Sequence, residues 1–436
     1  MKKIVWGIWL IATISLASYY GYKMFQSENK EALLIGDTSH GHFQIELACS
    51  SCHTSPFGGP EVIQDACTNC HAEELEESHD SHPKKKFTDP RNADLLEVID
   101  ARYCVSCHTE HKKEQTHSMG LTLPKDYCFH CHQDVGEERE SHKDLAFDSC
   151  ASSGCHNYHD NRALYEDFLV ENHQGPWLKE IAQITEANAA AKLSAVFIPA
   201  SQPGFEEKKT QHPDTHHAWA TSIHAAANVD CAGCHSNSKQ QWIEAPGIEQ
   251  CQTCHNAEVE TFTQGKHGMK LALGMTAISP SDSLMPFKNQ SLAQHQSCSS
   301  CHDAHKPDRL FAAKDACLNC HNDEHSLAFD SSPHGQLFSK AIDGMIPAEE
   351  TVSCATCHMP REKNLVNGKK VISVNHNQNY ILRPNEKMIR PVCLQCHNLE
   401  FSIDALADEA LIKSNFNGKP SIHVQSIDWA IKRIEE

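Results

Sequence analysis

The chain has 436 residues, a formal charge of −19, 39% hydrophobic residues, 22 cysteines and 32 histidines. So acidic a chain is excluded from ordinary electrostatic binding of nucleic acid and suits docking with basic partners. A chain this long would ordinarily build two or three domains around apolar side chains, and here the apolar content is modest for that.

At the amino terminus Lys2 and Lys3 precede an uncharged run from Ile4 to Tyr22. About 20 apolar residues cross a bilayer. Tyr19, Tyr20 and Tyr22 suit an interfacial aromatic belt, and the leading lysines keep the amino terminus cytoplasmic. The expectation is an uncleaved anchor over 1–25 that holds the rest of the chain on the periplasmic side of the inner membrane. Ser15-Leu16-Ala17 offers a cleavage site, so a removed signal peptide is the alternative. Residues 23–48, with His40 and His42, read as a polar tether.

Every cysteine then falls into a pair whose second member is followed by histidine. Five pairs lie between 49 and 156: Cys49/Cys52-His53, Cys67/Cys70-His71, Cys104/Cys107-His108, Cys128/Cys131-His132 and Cys150/Cys155-His156. A cysteine-free gap follows, with helix formers in its middle over 177–197, ended by Pro199 and Pro203. Six more pairs fill 231–397: Cys231/Cys234-His235, Cys251/Cys254-His255, Cys298/Cys301-His302, Cys317/Cys320-His321, Cys354/Cys357-His358 and Cys393/Cys396-His397. The tail closes on DWAIKRIEE, which reads as a terminal helix. The expected organisation is an anchor (1–25), a five-motif domain (26–160), a helical linker (161–211) and a six-motif domain (212–436).

C-x-x-C-H is the attachment signature of c-type haem: two thiols bond the vinyl groups and the histidine becomes the proximal iron ligand. Zinc sites and disulfides also use paired cysteines, but neither requires a histidine after every pair. The eleven motifs therefore predict eleven covalent haem c groups. CASSGCH at 150–156 has two extra residues between its cysteines. Small, flexible Ser152, Ser153 and Gly154 let that loop bulge while both sulfurs reach, so it is read as an attachment site, with a simple disulfide as the alternative. It is also the expected junction between the two haem groups.

Enough histidines remain for a second axial ligand at every iron. Candidates are His42, His82, His111, His142, His159, His267, His305, His325 and His334. In CHxxH loops such as His108/His111, His156/His159 and His302/His305, the second histidine is expected on a neighbouring iron, because its own loop already occupies one face. Isolated His173 and His423 are weaker candidates. With this many haems the expected fold is mainly α, with irregular loops wrapped around stacked haems, little β structure and an amino-terminal transmembrane helix. Folding is then coupled to haem attachment.

The two halves repeat each other. DACTNCHAEE at 65–74 matches DACLNCHNDE at 315–324. CVSCHTEHK at 104–112 matches CSSCHDAHK at 298–306. SHKDLAFDS at 141–149 matches EHSLAFDS at 324–331, which makes His142 and His325 equivalent and the Leu-Ala-Phe a hydrophobic clip.

The closely spaced motifs of residues 40–160 resemble class III cytochromes c and periplasmic decahaem cytochromes, which implies bis-histidine irons that carry electrons. HHAWATSIHAAANVDCAGCH (216–235), VSCATCHMPR (352–361) and VNHNQNYILRPNEKMIRPVCLQCH (374–397) resemble the superfamily of hydroxylamine oxidoreductase and ammonia-forming nitrite reductase. That resemblance implies a mostly helical domain of packed haem pairs, with His224 and His376 as distal ligands. It departs in having no C-x-x-C-K site, and nothing marks Tyr380 as a cross-linking tyrosine. The first motif also lacks the methionine usual in tetrahaem quinol dehydrogenases, so use of quinol rests on the anchor alone.

The resulting expectation is an undecahaem electron carrier between the membrane and a basic or outer-membrane redox partner. The alternative is a reductase or oxidase of a small nitrogen or sulfur compound with one open haem in the second half, where Arg361, Arg383 and Arg390 would bind an anion or pair with propionates.

Overall fold

A computed structural model describes residues 2–27, 30–39, 41–55, 58–78, 87–112, 120–124, 126–143, 156–160, 168–169, 205–366, 369–382, 385–425, 427–428 and 431–432. Cys150, Cys155, His40, His82, His173, Arg383, the helix expected over 177–197 and most of DWAIKRIEE lie outside these. The chain is mainly helical and divides into two compact units, Met1–Ser152 and Ser153–Glu436.

The amino-terminal unit opens with α1 (Lys2–Phe25), a 24-residue helix with no buried residue. At 1.5 Å per residue it runs about 36 Å, enough to cross a bilayer core of about 30 Å. Glu31–Leu33 and Phe43–Ile45 form short 3-10 turns in place of the expected tether, and Thr38, Ser39 and Gln44 are buried. The reason is a carboxylate from far along the chain. Glu110 accepts hydrogen bonds from the Ser39 amide (2.7 Å) and hydroxyl (2.8 Å) and folds the segment against the third motif. Helix α2 (Pro60–Glu77) starts on a proline, whose missing N–H costs nothing at a first turn, and carries the second motif within it.

In the carboxyl-terminal unit most elements are one to three turns long. The longer ones are α3 (Asn256–Gln264), α4 (Pro333–Ile342) and α5 (Leu399–Ala407). The sheet among the described residues is one antiparallel hairpin, β1 (Arg361–Val366) with β2 (Lys369–Val374), in register Arg361↔Val374. A side-chain core forms around the last motif, where Ile389 and Leu399 are fully buried among Ile381, Met388, Leu394, Ile403, Leu406 and Ile427. Arg390 lies 4.1 Å over the Phe168 ring beside this core. Of the clip at 327–329, Phe329 is buried and packs edge-on against Phe338, while Leu327 is exposed.

Candidate haem-binding sites

The motif works because it closes one helical turn. The amide of the motif histidine donates to the carbonyl of the first cysteine at His53, His108, His132, His235, His255, His302, His321 and His397, at 2.8–3.0 Å. Positions i, i+3 and i+4 of such a turn share one face, so both sulfurs and the imidazole point the same way. Several turns are capped by the residue just before them. The Asp230 carboxylate accepts from the Cys231 amide, and Ser353 from the Thr356 amide. Every described cysteine is unbridged.

The fourth motif is one of five whose second cysteine is exposed among the described residues. Cys131, expected to bond a haem vinyl group, is exposed on the short turn Phe129–His132, and Phe129 beside it is exposed too. The turn itself is formed, since the Cys131 amide donates to the Cys128 carbonyl (3.2 Å). Exposure has a local cause: the residues that follow, Gln133-Asp134-Val135-Gly136-Glu137-Glu138, are mostly polar and supply little apolar cover. Cys52, Cys70, Cys254 and Cys396, also second cysteines of their motifs, share this exposure.

Eight motif histidines face a second imidazole. In the amino-terminal unit His53 faces His111 (ring centres 6.5 Å apart) and His71 faces His42 (5.9 Å). In the carboxyl-terminal unit all six motif histidines are so placed: His235 with His305 (6.0 Å), His255 with His224 (6.2 Å), His302 with His376 (6.3 Å), His321 with His267 (6.3 Å), His358 with His325 (6.1 Å) and His397 with His334 (6.1 Å). Two imidazoles on opposite faces of one metal ion, each nitrogen about 2 Å from it, hold their ring centres roughly 6 Å apart. The residues therefore fit a bis-histidine haem iron. In each CHxxH loop of known pairing, the second histidine faces another motif: His111 faces His53, not His108, and His305 faces His235, not His302.

Hydrogen bonds hold the rings with Nε2 turned inward. Nδ1 bonds to a backbone carbonyl in His111 (Gly36, 2.9 Å), His224 (Ala304, 2.9 Å), His235 (Ile243, 2.8 Å), His325 (Ile412, 2.5 Å) and His376 (Val374, 2.9 Å). Such a bond fixes the proton on Nδ1 and leaves the Nε2 lone pair as an acceptor, which at His325 faces the Asn415 side-chain amide at 3.3 Å. His111 sits at φ 62°, a left-handed conformation that histidine tolerates better than most residues, and the chain at Gly36 passes so close that a Cβ there would stand 2.6 Å from the His111 carbonyl oxygen. The β hairpin turns the chain back so that His376 reaches His302, and the His376 amide donates to Thr261. Burial, aided by neighbouring imidazoles, lowers His267 and His358 to about 4, so both rings are neutral at neutral pH.

Sulfurs of successive motifs are neighbours. Cys251 lies within hydrogen-bonding reach of Cys298, and Cys317 of Cys354. Burial and then Cys251 and Cys254 push the Cys234 thiol up to about 11. Burial with Cys317 and Cys320 takes Cys301 to about 12, and burial with Cys393 takes Cys357 to about 12. In a haem-loaded chain these sulfurs are thioethers that no longer titrate, but their proximity remains. It strings the six motifs in sequence order: 231, 251, 298, 317, 354, 393. In the amino-terminal unit Cys52 neighbours Cys70, and Cys67 reaches Cys104. Motifs one to three therefore repeat the sulfur contacts of motifs six to eight, and motifs one and two repeat the imidazole pairs of six and seven.

His142, His156 and His159 are described but form no part of the eight pairs above. His423 stands between Asp404 (3.1 Å) and Asp428 (2.9 Å). Arg361 opens β1, and Tyr380 packs against the core near the last motif. What sequence reasoning missed was the set of carbonyls and carboxylates behind the rings. The repeat CHTEHK/CHDAHK was the available signal, since it carries Glu110 in one copy and Ala304 in the other.

The Cytochrome c3 family model matches residues 41–133 and again 223–322, the two stretches with equivalent pairings. No curated protein and no solved structure matches the chain. Motifs, facing imidazoles and the repeated match together make this chain a multihaem c-type cytochrome, an electron-transfer protein.

Proposed function

We propose that the chain is an undecahaem electron carrier on the periplasmic side of the inner membrane, held there by α1, which relays electrons between the membrane and a basic or outer-membrane redox partner. The observation that carries this reading is the unbroken run in the carboxyl-terminal unit: six motif histidines, each with a second imidazole about 6 Å away, on sulfurs that neighbour one another in chain order. Haem iron supplies a one-electron ferric/ferrous couple when bound. The paired histidines would hold the iron from both sides, so a change of oxidation state would need no change of ligand and no site would open to substrate. That weighs against the reductase or oxidase reading, which needs an open iron in this same half. The resemblance read at 216–235, 352–361 and 374–397 would, on this view, reflect shared haem packing without that superfamily's chemistry.

For His108, His132 and His156, second ligands are proposed from His82, His142 and His159. Attachment at Cys128/Cys131 is proposed from the motif and its closed turn, and at Cys150/Cys155 from the motif alone. The acidic surface supports a basic partner, and quinol remains the proposed membrane-side reductant.

Intact-mass measurement of the mature holoprotein should show eleven haem additions and retention of Lys2 and Lys3. Electron paramagnetic resonance of the oxidised protein should be wholly low-spin. A high-spin haem that responds to nitrite, hydroxylamine or sulfite would replace the carrier by the enzyme.

A further inference from the structure

The second motif differs from its copy in what stands behind its imidazoles. His42 Nδ1 lies 2.6 Å from a Glu110 carboxylate oxygen, and His71 Nδ1 lies 2.9 Å from Glu74. Both rings facing the same site therefore donate to carboxylates. Glu110 is fixed by three donors, since the Ser39 amide and hydroxyl also bond to it. Three donors converging on one carboxylate favour its charged form.

In the equivalent site of the second copy, His224 takes the place of His42 and Ala304 that of Glu110. His224 Nδ1 bonds to the neutral Ala304 carbonyl, and Glu258 stands 3.9 Å from His255. Other carboxylates near paired rings are also farther off: Asp323 is 3.7 Å from His321 and Asp303 is 3.9 Å from His305.

We propose that Glu110 and Glu74 are tuning residues that make the haem attached at Cys67 and Cys70 the most reducing of the eight whose imidazoles face one another, and more reducing than its structural twin at Cys251 and Cys254. This rests on His42 and His71 being its axial ligands. A carboxylate that accepts the Nδ1 proton draws it away from the ring and leaves more electron density at Nε2. A stronger donor stabilises the ferric state over the ferrous, and a fixed negative charge opposes the added electron. Both axial positions act in the same direction. Reduction here is one electron taken from an external reductant, with the Nδ1 proton staying on its ring. Adjacent sulfurs put the first motif beside it, so this haem is an uphill step from that easier one.

The test is a spectroelectrochemical titration of the full haem-loaded protein, with dithionite as reductant and paramagnetic resonance as the second readout. Glu110→Gln keeps an acceptor but removes the charge. The more exposed Glu74→Gln carries the test if the Glu110 variant does not fold. Each should favour reduction of the most reducing haem about tenfold, about 59 mV for one electron, with every haem still low-spin and the largest g value of one signal displaced. The lowest midpoint unmoved in a folded variant overturns the proposal while leaving the carrier reading intact. A fully low-spin His42→Ala variant overturns it differently, by removing the ligand assignment beneath it.

Discussion

Gly335 follows His334 in α4, and a Cβ at that position would stand 2.0 Å from the Phe329 carbonyl oxygen and 2.7 Å from the Phe329 carbonyl carbon. Both are backbone atoms of the turn that Ser332 locks by accepting the Gly335 amide, so neither can swing aside. Relief to van der Waals contact requires a displacement of about 1.4 Å between α4 and that turn. Metal–nitrogen bonds tolerate about 0.2 Å. Gly335→Ala should therefore pull His334 from its place opposite His397, convert one low-spin haem to high-spin, and lower stability by about 1–3 kcal/mol, as overpacking does. Resonance spectra of the oxidised holoprotein, with thermal unfolding beside them, check both effects. A variant with no high-spin signal and an unchanged melting temperature would refute the argument that this close approach seats His334.

His305→Ala and His376→Ala should each create one high-spin haem, and the double variant two, because the pairs assign these histidines to the different haems of His235 and His302; either single variant remaining wholly low-spin contradicts the pairing. The third expectation concerns pH. Asp428 and Asp404 raise His423 to about 9, and Glu400 also lies close by. A folded pKa above the unfolded value of about 6.5 means that this contribution is complete below pH 6.5 and is lost as pH rises through 9. Hydrogen exchange at 421–425 should accelerate across that window, and His423→Asn should flatten the change.

What the sequence made legible is what lies within one turn of chain. C-x-x-C-H names two sulfurs and a nitrogen on one helical face, and that local rule needs no tertiary structure. The second histidine of a CHxxH loop was expected on a neighbour because the geometry of its own loop forbids folding back, and His111 and His305 do face other motifs. Which motif each faces was not legible, since it depends on contacts far apart in the chain: Gly36 with His111, Ala304 with His224, Ile412 with His325. The tether expected over 23–48 failed for the same reason. Its polar residues looked unburiable until Glu110 supplied the acceptor. The hairpin at 361–374 was likewise hidden in a segment read only for its cysteines and arginines.

The direction of each pairing along the chain sets a timetable. His42, His224, His267, His325 and His334 precede the motif they face, whereas His111, His305 and His376 follow theirs. In a chain that emerges amino terminus first, the former sites have both nitrogens in hand when their cysteines arrive. The latter stay half-liganded until a distant loop has crossed. On this assignment the haems of His53, His235 and His302 pass through an interval in which water or a stray side chain can occupy the sixth position, which marks them as the places where maturation is most easily diverted.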